Sequence, residues 1–215
     1  MPVKVKPALF IIVAGLLLLP IAAVAAPSLS GPTGLITIPS ADVIQSDQFN
    51  IGGFMVEDEL SFVINGAPIP GLEVGVGVHG RGDSLGYLNA KYQLVPETRE
   101  YPGVAVGAVG INDVTRRSVY VVASKNLPEF GVRGHIGIQT PGDPLFAGVS
   151  KVLNTVSVQR PGEKSLALQT TLLAELRGSD PSVGLRLRLS PHFVLHASYV
   201  DLSTGVIGLS YNGWF

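Results

Sequence analysis

The feature that most constrains this chain is an alternation of period two that recurs, between turns, from Gln48 to the terminal Phe215. Leu72, Val74, Val76 and Val78 oppose Glu73, Gly75, Gly77 and His79. Val183, Leu185, Leu187 and Leu189 oppose Ser182, Gly184, Arg186, Arg188 and Ser190. Such spacing makes strands with one aliphatic and one polar face. Roughly twelve short runs of this kind are separated by turn residues such as Glu57-Asp58-Glu59 and Pro141-Gly142-Asp143-Pro144. No segment after the first 47 residues has a helical period. The regular spacing predicts an all-β, antiparallel up-and-down barrel or meander over a Greek-key sandwich. Two stretches resist assignment: Gly103–Ile111 is apolar on both faces, and Asn154–Lys164 reads as the longest connection.

Which face carries charge then matters. Glu73, Lys91, Arg133, Glu175, Arg186 and Arg188 all share the face opposite the aliphatic one, among Gly, Ser, Asn and Gln. Only 14% of the chain is charged, against about 25% in typical domains. An outward charge near a bilayer midplane costs about 2–4 kcal/mol, and several runs approach the ~9–11 residues a tilted strand needs to cross. These features predict a transmembrane β-barrel of about twelve strands with the six charged residues facing its lumen. Arg186, Arg188, Arg133 and Lys91 are then either an anion or sugar-acid path or partners of Glu73 and Glu175. The presence of both signs favours pairing. A soluble secreted β-domain that binds a ligand or cell surface alternates in the same way and is the competing reading.

Ahead of the strands, Lys4 and Lys6, the apolar run Ala8–Leu19 and Ala23-Val24-Ala25 predict a signal peptide over residues 1–25. Residues 26–47 follow as a lead-in at or inside the barrel, with a helical turn at Ser40–Ser46, and residues 48–215 form the barrel domain. Loss of the leader leaves thirteen Lys and Arg against sixteen acids, a charge of −3. That balance argues against nucleic acid. The absence of cysteine excludes disulfides and thiolate metal sites.

Candidate chemistry is sparse. His79, His135, His192 and His196 lack metal-ligand spacing, so neither metal nor cofactor is expected. His196 and Ser198 share a strand face with Asp201 nearby, but no nucleophile elbow accompanies them, so a barrel hydrolase ranks last and the expectation is no enzyme. Arg81-Gly82-Asp83 is read as a turn. Gly75-Val76-Gly77 and Gly107–Gly110 are read as strand glycines that permit tight curvature.

Two resemblances extend this reading. The last strand, with Ile207, Leu209, Tyr211 and Phe215 on one face, resembles the C-terminal signature of bacterial outer-membrane barrels, with Gly213 where a bulkier residue is usual. This implies location in the outer membrane of a diderm bacterium, contact with its lipid, and recognition of those four residues as an assembly signal by the barrel-assembly machinery. Gly34-Leu35-Ile36-Thr37-Ile38-Pro39-Ser40-Ala41-Asp42, with Asp47, Phe49 and Gly52 after it, resembles the opening of the YjbH family, with Ser40 where Thr is usual. Leu145-Phe146-Ala147-Gly148-Val149 is similar to a later phrase of the same family. The family resemblance implies an envelope barrel associated with exopolysaccharide production, and so an envelope polysaccharide as a partner. The short turns on the expected outer side argue against a porin.

Overall fold

The computed structural model describes residues 25–80, 86–113, 117–142, 144–158 and 166–215, which form twelve antiparallel strands and no helix. The strands are β1 (Gln48–Val56), β2 (Glu59–Ile69), β3 (Leu72–His79), β4 (Tyr87–Val95), β5 (Gly103–Val109) and β6 (Ser118–Leu127). They continue as β7 (Val132–Thr140), β8 (Leu145–Val158), β9 (Leu166–Arg177), β10 (Asp180–Arg188), β11 (Phe193–Val200) and β12 (Thr204–Trp214). Each pairs with its neighbours in sequence, and β1 pairs with β12 from Gln48↔Trp214 to Val56↔Val206, so the barrel is closed. With an even number of strands, β1 starts and β12 finishes at one end, the terminal end. The connections 57–58, 141–144, 178–179 and 201–203 lie at the opposite, far end. The leader expected over residues 1–25, apart from Ala25, lies outside the described residues, as do Arg81-Gly82-Asp83 and Asp143.

The alternation sorts side chains as expected. Ile51, Met55, Val74, Val76, Leu88, Ile136, Ile138, Leu185 and Ile207 are exposed on the outside. Asn50, Asn65, Glu73, Asn89, Lys91, Glu175 and Ser210 are buried inside. Among the described strand residues, the outward charged side chains are Lys125, which donates to the carbonyls of Thr98, Arg99 and Tyr101, and Lys151. In β5 the phase is now fixed: Gly103 and Ala105 face in, while Val104 and Val106 pair outward-facing Ala123 and Val121. Asn154–Val158, expected in a connection, instead continue β8 to Leu166↔Val158. A register shift between Val152 and Asn154 puts an unpaired residue, Leu153, into the strand.

Four inward aromatics fill the far half of the lumen, each lying over the glycine paired with it on the next strand: Phe54 on Gly208, Tyr87 on Gly77, Tyr120 on Gly107 and Phe146 on Gly137. A methyl group at any of these glycines would stand 2.2–2.4 Å from the ring. These glycines make room for aromatic bulk inside a narrow barrel, which accounts for their frequency on the polar face.

The lead-in runs inside the lumen. Isolated bridges Pro27↔Thr33 and Gly34↔Pro39 fold it into two tight loops, the second so close that a Cβ on Gly34 would lie 2.2 Å from the Ile38 carbonyl oxygen. Leu35, Ile36, Ile38 and Ala41 join Ala105, Tyr120, Val122, Phe146 and Leu173 in one apolar cluster. Leu29 packs against Phe54, Val63 and Val206 in another. On the wall, Gly148 leaves space for this plug: a Cβ there would meet Ile38 and Leu35 at 2.7 Å. The helical turn expected at Ser40–Ser46 is absent. The Ile44 N–H, which would close the first helical hydrogen bond on the Ser40 carbonyl, goes to a Glu73 oxygen (3.3 Å) instead, and the Ala41 N–H goes to Ser124 Oγ (2.9 Å), so wall side chains hold this segment out of a helix.

Candidate functional site: a plugged lumen and its basic cavity

A buried loop must satisfy its backbone N–H and C=O groups without a ladder. Here the barrel wall supplies the partners. Glu73 on β3 accepts from the Thr33 N–H (2.7 Å) and the Thr33 hydroxyl (2.7 Å). Lys91, its cross-strand neighbour on β4, pairs with it at 3.3 Å and donates to the Thr33 carbonyl at 2.8 Å and to the Thr33 hydroxyl. Both charged side chains are fully enclosed, at 0% and 1% exposure. Across the lumen, Glu175 on β9 accepts from the N–H groups of Ile36 (2.9 Å) and Thr37 (2.8 Å) and from the Thr37 hydroxyl (2.6 Å). Arg186 on β10 donates to the carbonyls of Gly34 (2.8 Å) and Leu35, and Arg177 to that of Thr37 (2.8 Å). Arg133 binds Asp42 of the plug (2.7 Å) and Glu97 of the 96–102 connection (2.8 Å).

Thus all six charged residues read from the sequence face the lumen, and five of them hold the plug. The expected pairing with Glu73 and Glu175 holds for Lys91 with Glu73. Arg186 contacts plug carbonyls and His196 instead, and Arg133 pairs with Asp42 and Glu97. Arg188 has no hydrogen bond or ion pair among the described residues, and its Nε is buried without a partner. Asn65, which donates to the Gly31 carbonyl (2.8 Å), and Gln93, which donates to that of Ala41 (2.9 Å), complete the set. Gln93 shares its strand face with Lys91, and Asn65 shares its own with the buried Ser61 and Val63. That they would grip a backbone has no signature in side-chain pattern.

Between plug and terminal end lies a cavity of about 540 Å³, within the ~300–1,000 Å³ usual for small-molecule sites. Arg99 and Arg188 stand toward its mouth with Arg133. Leu35, Leu173 and Val194 contribute apolar wall. His135 also lines it: Ser124 Oγ accepts from the Ala41 N–H and lies 2.8 Å from His135 Nδ1, and Nε2 of the same ring has no partner among the described residues.

The remaining candidates are occupied separately. His196 Nε2 bonds Ser210 Oγ (2.8 Å) rather than Ser198, and Asp201 sits in the far-end turn with its N–H on Ser182 Oγ, so no Ser-His-Asp arrangement forms. His79 stacks on Tyr87 and His192 on Tyr211. On the outside of the terminal end, Phe49 contacts Tyr211 (6.0 Å) and Phe215 (5.2 Å), and Tyr211 contacts Phe193 (5.2 Å), which brings the aromatic residues of the last strand together. Ile207 and Leu209 point outward on the same face. No family model, curated protein or solved structure matches the chain.

Proposed function

We propose that the protein is an outer-membrane β-barrel with a structural or transport role in the cell envelope, closed at rest by its own N-terminal segment. The observation that carries this reading is the sorting of the twelve strands: exposed aliphatic side chains outside, with buried charged and amide groups inside. A water-facing barrel gains nothing from so apolar an exterior, whereas lipid selects for it. Aromatic residues exposed near both ends support the same reading, with Tyr92, Phe193 and Trp214 at the terminal end and Phe62 and Tyr199 at the far end. Outer-membrane fractionation with a heat-dependent shift in gel mobility is the expected result. A protein found wholly in a soluble fraction would retire this reading in favour of a secreted binding domain. In planar bilayers the intact chain is expected to be silent, because the plug and the four far-half aromatics fill the lumen. A steady open conductance would refute closure at rest.

The phrase that resembles the YjbH opening, Gly34–Asp42, is the one held by Glu175, Arg186 and Arg133. We extend the proposal on that resemblance to exopolysaccharide secretion, a role without catalysis. Loss of secreted polysaccharide in a deletion strain, restored by the intact chain, is the expected outcome; unchanged secretion would remove this part.

Phe215 is proposed as an assembly signal more than a packing residue, since it is 83% exposed and contacts Phe49 alone among the aromatic rings of the described residues. Its deletion should leave export intact and sharply reduce assembled barrel in membranes. Normal assembly of the shortened chain would count against the signal.

A further inference from the structure

We propose that the cavity at the terminal end binds an anionic amphiphile, with its acid group held by Arg188 and Arg99 and its apolar body directed inward along Leu173 and Leu35. Charge in the cavity is unbalanced. Of the four arginines that line it, Arg133 is met by Asp42 and Glu97, and Arg186 is engaged by two plug carbonyls and stands across the same loop from Glu175. Arg188 and Arg99 face no carboxylate among the described residues. Arg99 is exposed, but the Arg188 guanidinium is drawn partly out of water, and leaving its donors unused is costly unless something else in the space accepts them. The wall nitrogens repeat this imbalance: Arg188 Nε and Arg133 Nε are buried without acceptors among the described residues, and both residues line this one cavity. The site therefore has donors in excess and is short of acceptors, which is the complement of an oxyanion.

Position along the strands orients the ligand. Arg188 lies at the terminal-end limit of β10 and Arg99 on the connection between β4 and β5. Leu173 is deeper on β9 and closely buried with the plug residue Leu35. The cup thus has a cationic rim and an apolar patch toward its floor. Gln169 pairs with Arg188 at the rim and Thr171 lies one inward step deeper, level with Arg186; both can serve a headgroup but do not displace the apolar floor. A carboxylate on an aliphatic chain matches both ends of this gradient, whereas a hydroxyl-rich sugar acid matches the rim alone. The cup is a property of the lumen, so its ligand does not depend on where the barrel resides.

The test uses the whole chain in a non-ionic detergent and isothermal titration with octanoate, with 1-octanol and galacturonate as probes. Saturable binding of octanoate is expected, weakened about tenfold or more by Arg188→Gln and also by Arg99→Gln, while 1-octanol and galacturonate bind much more weakly. Arg99 lies outside the strand ladder, so Arg99→Gln still measures the need for a cationic rim if Arg188→Gln fails to assemble. Octanol binding as tight as octanoate would remove the anion requirement, and galacturonate binding tighter than octanoate would remove the apolar one. Either result overturns the proposal, as does octanoate binding that both variants leave unchanged, or no saturable binding at all.

Discussion

Two clamps hold the plug from opposite sides of the lumen, and they solve the same problem differently. At the β3–β4 clamp, the Glu73 carboxylate meets a full countercharge, Lys91, and both close on one residue, Thr33. At the β9–β10 clamp, Glu175 is satisfied by the N–H groups of Ile36 and Thr37 and by the Thr37 hydroxyl, while Arg186 holds carbonyls one and two residues upstream. The first is an ion pair with a peptide between its members. The second is two one-sided grips that share a tight loop. Removal of a partner should therefore be more damaging at the first clamp than at the second, because only there does it leave a fully enclosed charge without its opposite.

The largest effect is expected at Lys91. Lys91→Met leaves Glu73 enclosed and uncompensated, a loss of about 3–5 kcal/mol, read as a lowered midpoint for heat-dependent gel mobility. The double variant Glu73→Gln, Lys91→Met should recover much of that loss, because neither charge then remains. If the double variant is worse than the single one, the ion-pair account of this clamp is wrong. Next comes Glu175→Gln, which replaces one acceptor oxygen by a donor facing plug N–H groups. About 2–3 kcal/mol is expected, with intermittent openings in planar bilayers as the second loop loosens; a silent lumen of unchanged stability would show that Arg186 and Arg177 suffice alone. The smallest effects belong to the two threonines. Thr33→Val should cost about 1–2 kcal/mol and Thr37→Val about 1 kcal/mol, since the Thr33 hydroxyl touches both Glu73 and Lys91 and that of Thr37 touches Glu175 alone. Urea titration of the two proteins side by side checks the order, and a reversed order would break the comparison.

The barrel was legible because period two reports directly on which face a side chain occupies, and in Leu72–His79 or Val183–Arg188 that face is chemically distinct. Legibility failed where the chemistry of the two faces converges. In β5, Ala105 faces in beneath the plug and Val104 and Val106 face out, so both sides are apolar and no phase could be read. In β8 the extra residue Leu153 breaks the count, which made a paired segment look like a connection. The six lumen charges were visible as well. So was the pairing of Lys91 with Glu73, whereas the targets of Glu175 and Arg186 were not, because the plug offers them backbone N–H and C=O groups that every residue possesses. The expected helical turn at Ser40–Ser46 failed for a related reason: Ser40 Oγ accepts from the Asp42 N–H, but the Ile44 N–H that would close the first helical hydrogen bond goes to Glu73.

The closing pair β1–β12 joins Gln48 to Trp214, near the two limits of the strand sequence. A contact so distant along the chain carries a large entropic cost if the intervening strands must find closure by diffusion. The lead-in grips β3 and β4 at one side and β9 and β10 at the other. Once β10 has formed, those grips already hold the two flanks of the sheet around a common centre, with only β11 and β12 left to add. A chain lacking residues 26–46 is accordingly expected to assemble more slowly, as followed by the appearance of the compact gel form; an unchanged rate would show closure to be independent of the lead-in. On this account the segment that fills the finished lumen is also the former around which the sheet curls, and it sets the curvature of the wall before the wall has two edges to join.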